Sequence, residues 1–557
     1  MVNLSVVSKR ALASAAMVLV CFVPQAMAAE AFSTSEGKNS SLGTQQVVAT
    51  TLQAQVSINL NYLPTSRAYL VKGTRGTLLG SVSAPAGSAL GLQICGGLDF
   101  MMGGQSGFAI SAPYDLGGAG VVRIYDSSRN LVPSSNNPIV GGNPGGRFGS
   151  SLATGDFGFG IQTLAIGEPG GAGLVSFYDT KNFYPLTSLS GDFGFGYSLM
   201  AGDFGYSEGK SLLVGTESGN SVVAYHPTGE VVEVSQGNLF DGFGRAIVQA
   251  GDFVGSDGIG EVLIGAEQED SSLAVDAGRV HIYDGSHLRP TPAPSGSPES
   301  GSSVTPVATL EGQVSGSRFG HSMAYVPGSP GYLVVGAPAC GVGACSELPG
   351  AVYIYNAQTR ALVTTLTMPG ASIKRFGWVV RVIRNVLGNP NQYHLFVGVP
   401  ANAQAPGQVR VYNVGNNNPA SWSFAFSIAN GGNGNSMGWA IAEIGTVANE
   451  QNRAVFAIGA PAVDSAASAF TYFYKATAGY LLDVASVKHY TEAQLTEQRL
   501  VNFVNGLAPE GQYWQTEQQV SQGLREGSIS VIRSDEKSAA TEDAMLETLK
   551  AAEVYSK

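Results

Sequence analysis

One pattern recurs seven times between roughly residues 85 and 485, and it limits the possible folds more than any other feature. Each copy opens with an aromatic or apolar residue followed by glycine. A short apolar run comes next, with Gly-Asp in several copies. An apolar strand then ends in Gly-x-Pro or a relative of it. A second strand closes the unit on Tyr or a near equivalent. Phe148-Gly149, Gly155-Asp156, Thr163 to Ile166, Gly167-Glu168-Pro169 and Leu174 to Tyr178 make up one clear copy. The other openings are Leu90-Gly91, Phe195-Gly196, Phe243-Gly244, Phe319-Gly320, Phe376-Gly377 and Met437-Gly438.

The openings lie roughly 45 to 75 residues apart, which suits a four-stranded unit. A fourth strand fits after each closing Tyr, as in Pro306–Leu310, Leu362–Leu366 and Trp422–Phe426. The runs are short, β-branched or aromatic, and bounded by Gly, Pro and Asn. One such sheet cannot bury both faces alone. Several packed radially can, leaving only short edges. The expected fold is all-β: a seven-bladed β-propeller of four-stranded blades over 68–485, with a short helical C-terminal appendage. Strand-like pieces at Ala68–Val71 and Thr77–Val82 are expected to complete the last blade. Tyr480–Val484 is the alternative clasp.

These residues resemble the FG-GAP repeat, the unit of the seven-bladed propeller at the head of integrin α subunits. The resemblance covers most of the chain and rests on all seven copies in order. It implies a recognition or adhesion role, calcium loops in some blades, and an aromatic rim that receives a basic side chain of a partner subunit.

The family's calcium loop runs approximately Asp-x-Asp/Asn-x-Asp-Gly-x-x-Asp, and calcium needs six to eight oxygens on a tight turn. Most copies have lost it. The fourth keeps Asp252, Asp257 and Glu261, with one residue inserted. This set is expected either to bind Ca²⁺ or to be an acidic surface turn, and no other cofactor is indicated.

The position after each opening glycine holds Leu92, Ser150, Tyr197, Arg245, His321, Trp378 and Trp439, which repeat symmetry should place in one ring. By resemblance, Tyr197, Trp378 and Trp439 are candidates for cation–π contact with a partner. The competing reading is that they fill the channel. Arg147, Arg318 and Arg375 share the position before Phe-Gly. Three arginines at one rim suit an anionic ligand such as an acidic glycan, unless nearby acids pair with them.

The ends differ from the repeats. Residues 1–28 read as a signal peptide: Lys9 and Arg10, an apolar run from Ala11 to Val23, then Ala26-Met27-Ala28. The apolar run is short for a transmembrane segment, and no later stretch reaches the ~20 residues needed. The expected location is exported: periplasmic, cell-surface or secreted. Residues 29–67 read as a mobile polar segment. Cys340 and Cys345 bound a short loop that suits a disulfide, with two thiols as the alternative, and Cys95 reads as a buried apolar residue. Residues 486–557 read as a helical tail, with helices over Thr491–Leu507 and Thr541–Val554, either docking to another subunit or solvated.

Composition narrows the function. Charged residues are 13% against the usual ~25%, and net charge is -11, so a nucleic-acid footprint is absent. Glycine, at 74 of 557 residues, marks turns and close approaches. No nucleophile elbow, zinc-binding His-Glu-x-x-His or phosphate loop occurs. The favoured reading is a non-catalytic propeller binding a protein or surface glycan through loops on one face. The alternatives are an exported carbohydrate-active enzyme with its site on the propeller top, and a structural subunit of an envelope assembly.

Overall fold

A computed structural model describes residues 71–485, apart from 102–104, 218–220, 236–237, 239, 290–303, 340–348, 369–374, 401–406, 415–418, 420–421, 430–435, 448–451, 462–467 and 482–483, together with the residue pairs 16–17, 20–21 and 530–531. The Cys340–Cys345 loop, the 29–67 segment, both tail helices and most of the signal segment lie outside the described residues. The chain divides into two compact units. In the unit made of residues 1–77, 424–431 and 476–557, Ala16–Met17 pairs with Val484–Ala485, and Val20–Cys21 with Ser530–Val531.

The repeats fold into seven four-stranded antiparallel sheets, the blades of a β-propeller. Their first strands are Ile94–Met101, Ser151–Gly155, Phe195–Gly202, Phe243–Gln249, Ser322–Val326, Val380–Arg384 and Ile441–Val447, which number blades 1 to 7. The first strands of neighbouring blades touch all the way round, including blade 7 against blade 1.

Burial falls outward across each blade. The second strands Thr163–Glu168, Ser211–Thr216 and Tyr332–Ala337 are buried at every residue, hence their continuous apolar runs. The third strand Leu174–Asp179 alternates buried and half-buried residues. The fourth strand Pro185–Ser190 is largely exposed. Core clusters form between blades: Val175 and Phe177 of blade 2 pack with Phe195, Leu212 and Val214 of blade 3.

The two ends of each repeat meet. The opening Phe is fully buried in five blades, and in three of them it packs edge-on against the closing Tyr of its own unit. Ring centroids are 6.1 Å apart in Phe148–Tyr178, Phe195–Tyr225 and Phe319–Tyr355. Such a pair adds about 0.5–1.5 kcal/mol beyond its area.

The glycines act in two sets. All seven opening glycines have φ between 86° and 95°, where an L side chain is strained. A second set ends the second strands. A Cβ on Gly167, Gly215, Gly265, Gly336, Gly398 or Gly459 would lie 2.0–2.2 Å from the carbonyl oxygen of the next blade's opening glycine. Blade 1 carries Ser111 at that position. Close backbone approach between blades is thus built on pairs of glycines.

Blade 7 takes its fourth strand, Val71–Ala84, from the N-terminal side of the repeats, beside the third strand Ala469–Leu481. The expected piece Thr77–Val82 lies within this strand, and of the expected piece Ala68–Val71 only Val71 is among the described residues. Among the described residues helix is confined to short turns such as Asp115–Gly118 and Gly285–Leu288.

Candidate functional site

The site grows from the turn that begins each blade. The residue before the opening Phe or Leu is left-handed in six blades: Ala89, Arg147, Gly194, Gly242, Arg318 and Arg375. Blades 3 and 4 use glycine there. Arg147, Arg318 and Arg375 sit at φ 59°, 56° and 72°, a conformation costing an L residue about 1–2 kcal/mol. The carbonyl of this residue accepts the N–H three residues on, as from Tyr197 to Gly194 and from Trp378 to Arg375. Each turn therefore places the arginine and the residue after the glycine at one end of the blade.

At that end the side chains join across blades. Arg147 pairs with Glu217 through both its terminal nitrogens, one contact being 2.9 Å. The Glu217 carbonyl accepts Nε and Nη2 of Arg245 at 3.3 and 3.2 Å. Arg245 Nη1 donates to Glu267 Oε1 at 2.9 Å and to Gln268 Oε1 at 3.0 Å. Its guanidinium lies 5.8 Å from the centre of the Tyr197 ring. The second oxygen of Glu267 is hydrogen-bonded to His321 Nδ1. The His321 ring is 4.5 Å from Trp378, and Trp378 is 4.5 Å from Trp439. Arg375 places its guanidinium 5.4 Å from the Trp378 ring. Five of the seven positions after the opening glycines thus form one unbroken chain of contacts, from Tyr197 to Trp439.

Charge is strongly ordered here. Burial raises the Glu267 carboxyl, but His321, Arg318 and Arg245 together outweigh it and hold the group at about 2. The hydrogen bond from Arg147 holds Glu217 below its usual value, and Glu217 holds Arg147 above its own. Both carboxylates are ionised at neutral pH, so neither has a proton to give as a general acid.

All six residues expected at a binding rim lie in these turns. The contacts among them differ from a set of open aromatic acceptors. Tyr197 and Trp378 each have an arginine of this chain against the ring, and Trp439 packs on Trp378. Arg147 is paired. The Arg318 side chain makes no hydrogen bond or ion pair with another described residue, and its charge acts on Glu267. Glu217 and Glu267 were missed from sequence. Their signal is that copies three and four replace the proline of Gly-Ala-Pro, giving Gly215-Thr216-Glu217 and Gly265-Ala266-Glu267.

The blade 4 loop places its acids apart in role. Both Glu261 oxygens accept backbone N–H groups, from Phe253 at 2.9 Å and Val254 at 2.6 Å, and the side chain is fully buried. Burial raises its carboxyl. Asp252 accepts Gly258 N–H at 2.7 Å, and Asp257 accepts Ile259 N–H at 2.8 Å. Among the described residues no three acidic, histidine or cysteine groups converge as a metal site. The donor set does not fit calcium, because its most buried carboxylate already serves the loop backbone. Cys95 is a free thiol raised to about 11 by burial, 3.9 Å from Thr154 Oγ1.

No protein-family model matches the sequence, and no curated protein matches it. Among solved structures, the chain is similar to a crystal structure of BBS1N in complex with ARL6DN, soaked with lead. The identity is 11% and the TM-score 0.43, over 72% of this chain and 96% of that one. Among the described residues no helix is long and apolar enough to cross a membrane.

Proposed function

We propose that this chain is an exported recognition propeller of the FG-GAP, integrin-α-like kind, binding a protein or a surface glycan through the blade-opening turns. The observation that carries this reading is the unbroken contact chain from Tyr197 through Arg245, Glu267, His321 and Trp378 to Trp439. It places part-buried ion pairs and three arginines in strained backbone on one end of the ring, where a purely structural turn would use glycine. The half-buried tryptophans and Arg318 give that end a flat apolar surface beside an unpaired cation. Such a surface suits a ligand with an acidic group next to a ring or apolar face.

The test is binding of the full chain to a glycan array and to a panel of surface proteins, repeated with Trp378→Ala, Trp439→Ala and Arg318→Ala. Binding lost in all three variants supports the reading. Reproducible binding that none of the three weakens would move the site elsewhere.

A further inference from the structure

Blade 4 carries a second surface, beside the ring of turns and built by the outer parts of three loops. Residues 238 and 240–241 lead into the blade, 268–278 join its second and third strands, and 312–317 leave it. They are knitted together. Gln268 N–H donates to the Asp241 carbonyl at 2.9 Å. The Val275 carbonyl accepts Ser315 Oγ at 2.7 Å and Gly316 N–H at 3.2 Å.

These loops hold large apolar side chains outward. Phe240 is 70% exposed, Leu273 69%, Val275 61% and Val314 40%. Phe240 also has φ 78°, a strained conformation for a bulky residue that gains no burial from it. Its turn is fixed by the Asp241 carboxylate, which accepts Asn238 N–H at 2.7 Å. Asp276, at φ 50°, is held likewise by Asp270, which accepts its N–H at 2.8 Å. Folding alone does not account for strain that displays an aromatic ring to water.

The charge around the patch indicates what covers it. Asp241, Asp270 and Asp276 make no ion pair with another described residue; the carboxylates of Asp241 and Asp270 each accept a backbone N–H, and Asp276 donates its own N–H to Asp270. Glu267, Glu269 and Glu311 are paired with Arg245 and Arg279, and Glu269 and Glu267 are also hydrogen-bonded to His281 and His321. On the inner side, Arg318 faces Glu267. The patch is therefore an apolar centre with three unneutralised carboxylates at its margin. Phe240 is the one aromatic ring beside three aliphatic side chains, Leu273, Val275 and Val314, a mix that suits apolar protein side chains better than a sugar.

We propose that the blade 4 loops dock a protein segment that presents apolar side chains flanked by lysine or arginine. The proposal rests on the reading of the chain as a binding module, and places this contact outside the Tyr197–Trp439 chain. Apolar contact supplies the affinity, and the carboxylates supply orientation and on-rate.

The test uses the full chain and two synthetic amphipathic helical peptides with the same leucine pattern, one with lysine and one with glutamate on the flanks. Binding is read by fluorescence anisotropy at two salt concentrations. The lysine peptide should bind at least roughly tenfold more tightly than the glutamate peptide, with the gap narrowing in high salt. Phe240→Ser with Leu273→Ser should weaken it by roughly tenfold or more. Asp241→Asn, Asp270→Asn and Asp276→Asn, which keep the N–H acceptors, should flatten the salt dependence. Unchanged thermal midpoints show that the variants fold. Equal binding of the two peptides, no binding of the lysine peptide, or indifference to the patch variants would overturn the proposal. So would self-association abolished by Phe240→Ser, which would assign the patch to a second copy. Trp378→Ala and Trp439→Ala should leave lysine-peptide binding intact, so failure here and failure of the ring-turn reading are separate results.

Discussion

Gly459 of blade 7 faces the carbonyl of Gly91 of blade 1 so closely that a Cβ on it would lie 2.0 Å from that oxygen. This contact closes the ring. Gly459→Ala must force the two blades apart, at a cost of about 1–3 kcal/mol or more. Gly142→Ala is the control, because nothing lies within 4 Å of its Cβ position. Denaturant unfolding should show a lower midpoint for the first and little change for the second.

Three serines stitch neighbouring blades. Ser151 Oγ donates to the Gly196 carbonyl at 2.6 Å, Ser322 Oγ to Gly377 at 2.8 Å, and Ser198 Oγ to Gly244. Each Ser→Ala change leaves a carbonyl short of a donor between blades. The expected loss is about 1–3 kcal/mol per site, additive for Ser151 and Ser322, which share no partner. Thermal unfolding of the single and double variants checks both points.

The strained arginines separate backbone from side-chain effects. Arg318→Gly and Arg318→Ala remove the same guanidinium, but only glycine relieves φ 56°. The glycine variant should be the more stable by about 1 kcal/mol. Arg147→Gly should gain less, because Glu217 then loses its partner. Paired urea titrations decide the order.

Acid should weaken the fold in two windows. Burial pulls the His394 imidazole from 6.5 to about 4, so the unfolded chain takes up this proton first. That contribution is whole above pH 6.5 and declines as pH falls through 6.5 toward 4, by on the order of 3 kcal/mol. Glu267, held at about 2 against 4.5, contributes stability above pH 4.5 that is lost as pH falls toward 2. His394→Gln should flatten the upper window of a stability-versus-pH curve, and Glu267→Gln the lower.

Calcium should leave the unfolding midpoint unchanged, since Glu261 already holds the blade 4 loop through Phe253 and Val254. A midpoint that climbs with calcium concentration and falls with chelator would show that the loop takes the ion after all.

The blades were legible because each repeat states its own packing. The opening Phe and closing Tyr stand far apart in sequence yet meet in the core, and the opening glycine recurs at the same left-handed position in all seven units. The ring of positions after those glycines was legible by symmetry alone. What joins them was not. Glu217 and Glu267 look like lapses in a Gly-Ala-Pro pattern, and their importance depends on Arg147, Arg245 and His321 arriving from other blades. The stacking of Arg245 on Tyr197 and of Arg375 on Trp378 is equally invisible, because sequence gives the rings but not which cation reaches them. Ser151, Ser198 and Ser322 share a register, two residues past the glycine, but only a neighbouring blade supplies the carbonyl that gives it meaning.

The strand Val71–Ala84 is synthesised before any blade, yet its neighbour Ala469–Leu481 comes after the seventh first strand. Ring closure is therefore the pairing of greatest sequence separation in the propeller, and chain entropy makes such pairings slow. Until it forms, both strands carry an unpaired edge that invites wrong partners. Once formed, it turns seven consecutive units into an endless circuit, so the ring cannot begin to open at one end as a linear array of repeats can. The lifetime of the folded state is then governed by the rate at which this one seam parts.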